Sequence, residues 1–267
     1  MTILNKIPIG VEVCRERGFS YLFSFLARGY SDLLIVKANH LASAVDAALS
    51  ARPLFHVIGD SHSWAFKRNR SFIVHNIGPA TAYNLANPGS TVRSSEKLFH
   101  IIDRMNVKRD AAILVFGEID CRVHIYNQFK KNNGQVPVAE LIGRTIGNYG
   151  AVLQKLSDRG VNFYVYGVLP ATRHVFRYPP YATRRMREAL FREFNERYPY
   201  LAPPGVRAEI HREYNERLRA FCHEHHYKFI DIYPRVSDSA GFVREEFIAD
   251  EIHVNGKVME FIKETLQ

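Results

Sequence analysis

At 267 residues, with 46% hydrophobic and 24% charged residues, the chain has an ordinary globular composition and is long enough to bury one substantial core. Its three cysteines, Cys14, Cys121 and Cys222, are far apart and odd in number, which excludes a disulfide framework and a zinc cluster and fits a reducing, cytoplasmic setting. The formal charge of +9 raises the question of nucleic acid, but no nucleic-acid motif accompanies it and none is expected as a partner.

Near the start, the apolar run Tyr21 to Ala27 is too short to span a bilayer and has charges on both sides, so neither a cleaved signal nor a transmembrane helix is expected. Such a run can cover a core edge or lie on a membrane surface. Leu33 to Leu49 has a helical pattern with an alanine-rich second half, and residues 1–50 are expected to form an N-terminal helical extension packed on the domain that follows, 51–267.

From residue 54 onward, short β-rich runs alternate with longer segments of helical period. Leu54 to Ile58 and Ser71 to His75 read as strands; Ala111 to Phe116 is almost wholly apolar, as suits a strand covered on both faces. Val161 to Tyr166 and Tyr227 to Ile232 complete a set of five. Between them, Leu98, Ile101, Ile102 and Met105 follow the polar starters Ser90 and Thr91. Ile142, Ile146, Tyr149, Leu153 and Leu156 line one helix face, with Gly160 as its stop, and Ile210, Tyr214, Leu218 and Phe221 line another after Pro203-Pro204-Gly205. This alternation predicts an α/β fold, doubly wound, with a five-stranded parallel sheet between two helical layers.

Residues 171–204 interrupt the pattern as an insertion with its own helical piece, Thr183 to Arg197, and can form a lid or specificity wall. Arg173, Arg177, Arg184, Arg185, Arg187, Arg192 and Arg197 make it strongly basic, which suits either a solvated helix face or contact with an anionic ligand.

In a parallel sheet of this kind the crevice lies at the carboxyl ends of the strands. Ser61 follows the first strand, Gly78 the second, Gly117-Glu118-Ile119-Asp120 the third and Leu169-Pro170 the fourth. The segments Gly59-Asp60-Ser61-His62 and Asp250-Glu251-Ile252-His253 contain a nucleophile, a base and an orienting acid. A serine hydroxyl needs an imidazole to take its proton, and the imidazole needs a carboxylate to fix its tautomer, so Ser61, His253 and Asp250 can fill those roles. Asp60 is placed to fix the serine loop through backbone hydrogen bonds.

With these motifs together, the sequence resembles the SGNH (GDSL-like) hydrolase superfamily over residues 54–267. The resemblance implies a flavodoxin-like three-layer sandwich, ester or acyl-group chemistry with no cofactor or metal, and Gly78 as a backbone donor to the oxyanion. The third block departs from the family's Gly-any-Asn-Asp: here it is Gly117-Glu118-Ile119-Asp120-Cys121-Arg122, and Ile119 has no side-chain donor where an asparagine is expected. Loss of one such donor typically costs on the order of 3 kcal/mol of transition-state stabilisation. Arg122 can take over that work, or it can pair locally with Glu118 or Asp120; His62 can contact substrate or cap a helix.

The resulting expectation is a serine esterase or O-acyltransferase acting on a small-molecule or glycoconjugate ester. A non-catalytic carbohydrate-binding or assembly protein on the same fold is the alternative, motivated by Ile119. A divalent-metal phosphoesterase built on Glu118 and Asp120 has no ligand spacing to support it, and Cys222-His223-Glu224-His225-His226 reads as a polar helix end.

Overall fold

The computed structural model describes residues 37, 38, 40–42, 53–67, 69, 71–176 and 182–266. Five parallel strands form one sheet in the order β2-β1-β3-β4-β5: β1 Phe55–Gly59, β2 Phe72–Asn76, β3 Ala111–Val115, β4 Phe163–Tyr166 and β5 Lys228–Ile230. The helices are α1 Ser94–Ile102, α2 Ile125–Lys131, α3 Val138–Asp158, α4 Arg184–Arg197, α5 Pro204–Glu224, α6 Tyr233–Val236 and α7 Met259–Leu266. All five expected strands are present, although the fifth stops at Ile230 because Asp231 turns the chain by accepting the Tyr233 N–H at 3.1 Å.

Period-two alternation along β3 divides the core. Ala112 and Leu114 face one way with Ile58 and Val165, onto Leu98 of α1, Ile142, Tyr149 and Leu153 of α3, and Tyr214 and Leu218 of α5. Ile113 and Val115 face the other way with Val57 and Tyr166, onto Phe66, Phe72, Val258 and Ile262. Every residue of β3 is buried, which explains why the central strand is a continuous apolar run.

Strand register sets the height of the site. Gly59 of β1 pairs with Asn76 of β2 on one side and Val115 of β3 on the other, so three strands end level. A Cβ at Gly59 would lie 2.3 Å from the Val115 carbonyl oxygen, hence only glycine permits this approach.

Residues 118–131 are helical where the sequence pattern pointed to a strand-end loop. A π-widened turn, Asp120–His124, runs directly into α2. Cys121, Val123 and Ile125 are all buried although they are spaced by two, a pattern that hides a helix in the sequence.

Of the expected N-terminal extension, only 37, 38 and 40–42 lie among the described residues; they are helical, and His40 Nε2 accepts the Val74 N–H of β2 at 3.1 Å. The Tyr21 to Ala27 run, Cys14 and Arg177 lie outside the described residues. In the insertion, Thr183 Oγ1 caps α4 by accepting the Met186 N–H at 3.2 Å, and Phe194 rests on Phe176 with ring centroids 4.7 Å apart. Arg207 of α5, a buried residue that the sequence did not single out, clamps the base of the insertion. Its Nη2 donates to the Thr172 and Arg173 carbonyls at 2.8 and 3.0 Å, and its Nη1 to Ala202 O at 3.2 Å.

Replacing Gly59 by alanine forces β1 and β3 apart, and Gly59→Ala is expected to lose on the order of 3 kcal/mol of stability. Urea unfolding followed by circular dichroism reads that loss; an unchanged midpoint contradicts the close-approach argument.

Candidate active site

Directly after β1, a 3-10 turn over Ser61–Phe66 carries the serine off the end of the sheet. Asp60 shapes that turn. Its Oδ1 accepts the His62 N–H at 2.8 Å, and its carbonyl accepts both the N–H and the hydroxyl of Ser63, at 3.2 and 2.6 Å. Burial pushes the Asp60 carboxyl up, while neighbouring His62 pulls it back.

The second half of the site arrives from the far end of the chain. Asp250 Oδ1 accepts the N–H groups of Ile252 and His253, each at 3.0 Å, which folds the Asp-any-any-His segment into a tight turn. The same carboxylate meets His253 Nδ1 at 3.0 Å through both of its oxygens. His253 Nε2 then lies 2.8 Å from Ser61 Oγ. With Nδ1–H held by Asp250, Nε2 is left as the acceptor for the serine proton, so the arrangement can deliver an alkoxide-like oxygen and store its proton on the imidazole.

His62, Glu118 and Arg122 are gathered behind the serine. His62 Nε2 and Glu118 Oε2 form an ion pair at 2.9 Å, off the in-line hydrogen-bond direction. Glu118 Oε1 accepts from Arg122 Nε at 2.7 Å, and Arg122 Nη1 donates to Val175 O at 2.6 Å. Burial opposes both charges of the first pair, yet the opposing partners prevail. Arg122 and His62 hold Glu118 well below the usual carboxylate range, and Glu118 with Asp60 raises His62 above the usual imidazole value.

Of the two arrangements open to Arg122, the ion pair with Glu118 is the one observed, with Nε and Nη1 both engaged by protein oxygens. Ile119 is buried and offers no side-chain donor. The Gly78 N–H donates to Asn76 Oδ1 at 2.9 Å in a local turn, so it too points to a partner of its own. The Ser61 N–H has no acceptor among the described residues and is a backbone donor on the same residue as Ser61 Oγ.

Asp120, two residues beyond Glu118, is an anchor that the sequence left in an undecided ion pair. Its two oxygens accept the Ala82 and Tyr83 N–H groups at 2.7 and 3.2 Å, tying the segment after β2 to the turn after β3. Beside Asp250, a groove of about 570 Å³ opens between Thr172–His174 and Val243–Glu251, lined by Arg173, Arg244, Glu245 and Glu246 among others. Arg173 approaches Asp238 at 3.6 Å and lies over the Phe242 ring, while Arg184 pairs with Glu188 at 3.2 Å, so part of the insertion's positive charge is already matched.

A sheet ordered β2-β1-β3-β4-β5, with a serine after its first strand and an Asp-any-any-His turn before its last helix, is the layout expected from the GDSL-like resemblance. The chain is a five-stranded parallel α/β sandwich, as that resemblance implies. No protein-family profile and no curated protein matches it. Among solved structures it is similar to a GDSL-like lipase from Bacteroides thetaiotaomicron, with 17% identity and a TM-score of 0.47 over 86% of this chain and 95% of that one. It is also similar to a member of the lipolytic G-D-S-L family from Veillonella parvula (13% identity, TM-score 0.40, 79% and 94% of the two chains). Phospholipase A1 from Streptomyces albidoflavus is a third, with 12% identity and a TM-score of 0.39 over 80% and 98%.

Burial raises the Asp120 carboxyl to about 7 despite its two backbone donors, against 3.8 in an unfolded chain. The folded state therefore holds a proton that the unfolded state releases. The stability this contributes is complete below the unfolded value and is lost as pH rises through the folded one. Asp120→Asn cannot ionise, so the urea midpoint of wild type minus that of the variant is expected to fall as pH is raised from about 4 to about 8. Parallel midpoints across that range contradict the assignment.

Proposed function

We propose that the chain is a serine-dependent ester hydrolase acting on a small O-acyl ester through an acyl-Ser61 intermediate. The observation that carries this reading is the continuous hydrogen-bonded series from Ser61 Oγ through His253 to Asp250, at 2.8 and 3.0 Å. His253 Nε2 takes the hydroxyl proton as Ser61 Oγ bonds to the acyl carbon. The Nε2 proton passes to the departing alkoxide as the ester C–O bond breaks. A second nucleophile then repeats the sequence in reverse: water completes hydrolysis, whereas a bound alcohol completes acyl transfer.

The Ser61 N–H is the lead donor to the oxyanion in this reading. Gly78 joins it when the Asn76 side chain releases its N–H. The polar groove beside Asp250, with hydroxyl, carboxylate and guanidinium groups at its walls, suits a hydroxyl-rich alcohol such as a sugar or glycoconjugate as the leaving or accepting group. A purely binding role for the fold gains nothing from a serine held 2.8 Å from an oriented imidazole.

Ser61→Ala is expected to abolish covalent labelling by a fluorophosphonate probe and to lower p-nitrophenyl acetate turnover by at least ~10³-fold. Persistent labelling sinks the reading. Asp250→Asn keeps the turn's shape but removes the charge that fixes the His253 tautomer, and a fall in kcat of ~10³–10⁴-fold is expected with KM little changed.

A further inference from the structure

His253 stands on a segment with little regular structure, and one edge of its ring is held by Asp250. Edge contacts fix where an imidazole nitrogen points, but they leave the ring free to rock about that edge. Besides Asp250 on Nδ1 and Ser61 on Nε2, the ring meets His62: the two ring centroids are 4.8 Å apart and the planes tilt by 47°. His62 is itself almost wholly buried and occupies the position directly after the serine, so nucleophile and ring wall share one rigid turn.

We propose that His62 is a positioning residue for His253, its ring forming the face on which the catalytic imidazole rests, with Glu118, Arg122 and the Val175 carbonyl as the brace that holds it. This inference rests on the serine-hydrolase reading of the same site. Three ionisable side chains are concentrated behind the serine turn, where well-packed apolar residues would serve stability at least as well. Their geometry makes sense as a fixture. Glu118 spans the two cations, using one oxygen for His62 at 2.9 Å and the other for Arg122 at 2.7 Å. Arg122 then reaches across to the segment after β4, where Val175 O accepts from Nη1 at 2.6 Å. The ring wall is thus anchored both to the helix that follows β3 and to the segment that follows β4.

A residue that only aligns the base affects the rate of proton transfer and leaves ester binding alone. A misplacement of about 1 Å in such a constellation typically costs ~10²-fold in rate. Removing His62 alone would leave Glu118 Oε2 buried without its cation, with only Arg122 still on the other oxygen, so the test uses a Glu118→Gln background in which that charge is gone. His62→Ala in this background is expected to lower kcat for p-nitrophenyl acetate by ~10–100-fold, with KM within about twofold of the background enzyme. His62→Phe in the same background restores an uncharged ring and is expected to recover most of that loss.

A kcat for the alanine variant equal to that of the background overturns the proposal, as does a phenylalanine variant no faster than alanine. Should the alanine variant fail to fold by circular dichroism, comparison of His62→Phe with His62→Leu in the same background supplies the ring-versus-no-ring contrast, and equal kcat values overturn the proposal. Fluorophosphonate labelling of wild type and Ser61→Ala is run alongside. Labelling that does not depend on Ser61 defeats the serine-hydrolase reading itself. Labelling that depends on Ser61 but proceeds at one rate in the ring and no-ring variants defeats the positioning role alone.

Discussion

The close approach of β1 to β3 at Gly59 and Val115 is the constraint on which the site depends. The Asp60 N–H leans onto the Val115 carbonyl at 3.4 Å, and Gly59 O in turn accepts the Ile77 N–H at 2.9 Å. Three strands are knitted together at one level, and the residues that leave it, Ser61, Gly78 and Glu118, start from a common plane. The positions of those residues are therefore set by sheet register, the most rigid coordinate in an α/β fold.

Above that plane, charge takes over from apolar packing. The segment after β4 is held by two guanidinium groups from different helical elements: Arg122 takes the Val175 carbonyl, and Arg207 takes those of Thr172 and Arg173. Both arginines are largely buried, where a guanidinium is costly unless its donors are matched; Nε and Nη1 of Arg122 and both terminal nitrogens of Arg207 meet carbonyl or carboxylate oxygens at 2.6–3.2 Å, while Arg207 Nε has no hydrogen-bond partner among the described residues. Gly117, at φ 109°, gives the chain the left-handed step needed to leave β3 and begin the turn that carries Arg122.

Much of the fold was legible in the sequence because its strongest signals are periodic. The five strand runs and the long apolar stripes of α3 and α5 were readable, since strand burial and helix faces both write themselves as spacing. The serine, histidine and aspartate were readable because a nucleophile, its base and the acid that orients it are restricted to few residue types. The helix over 118–131 was not, because a π-widened turn shifts the buried positions to Cys121, Val123 and Ile125, a spacing that imitates a strand. The partners of His62 and Arg122 were equally hidden: which of several nearby charges pair is decided by the turn that carries them. Arg207 left no mark at all, since one arginine among many in a basic chain looks solvated until its three carbonyl partners are seen.

The stretch that delivers Asp250 and His253 meets the segment after β4 through the single bridge Ala171 to Phe242 and folds on itself through Ser237 to Val243 and Ile248 to Val254, in place of a strand ladder. Few cooperative hydrogen bonds oppose its detachment, so it forms a unit that opens at lower free energy than the sheet. Detachment carries away the base and its carboxylate together and leaves Ser61 on the end of β1. Heat inactivation of such a molecule precedes its melting, because the part that leaves carries two of the three hydrogen-bonded groups and draws Val243, Phe247 and Val254 out of the core with it while the sheet stays closed.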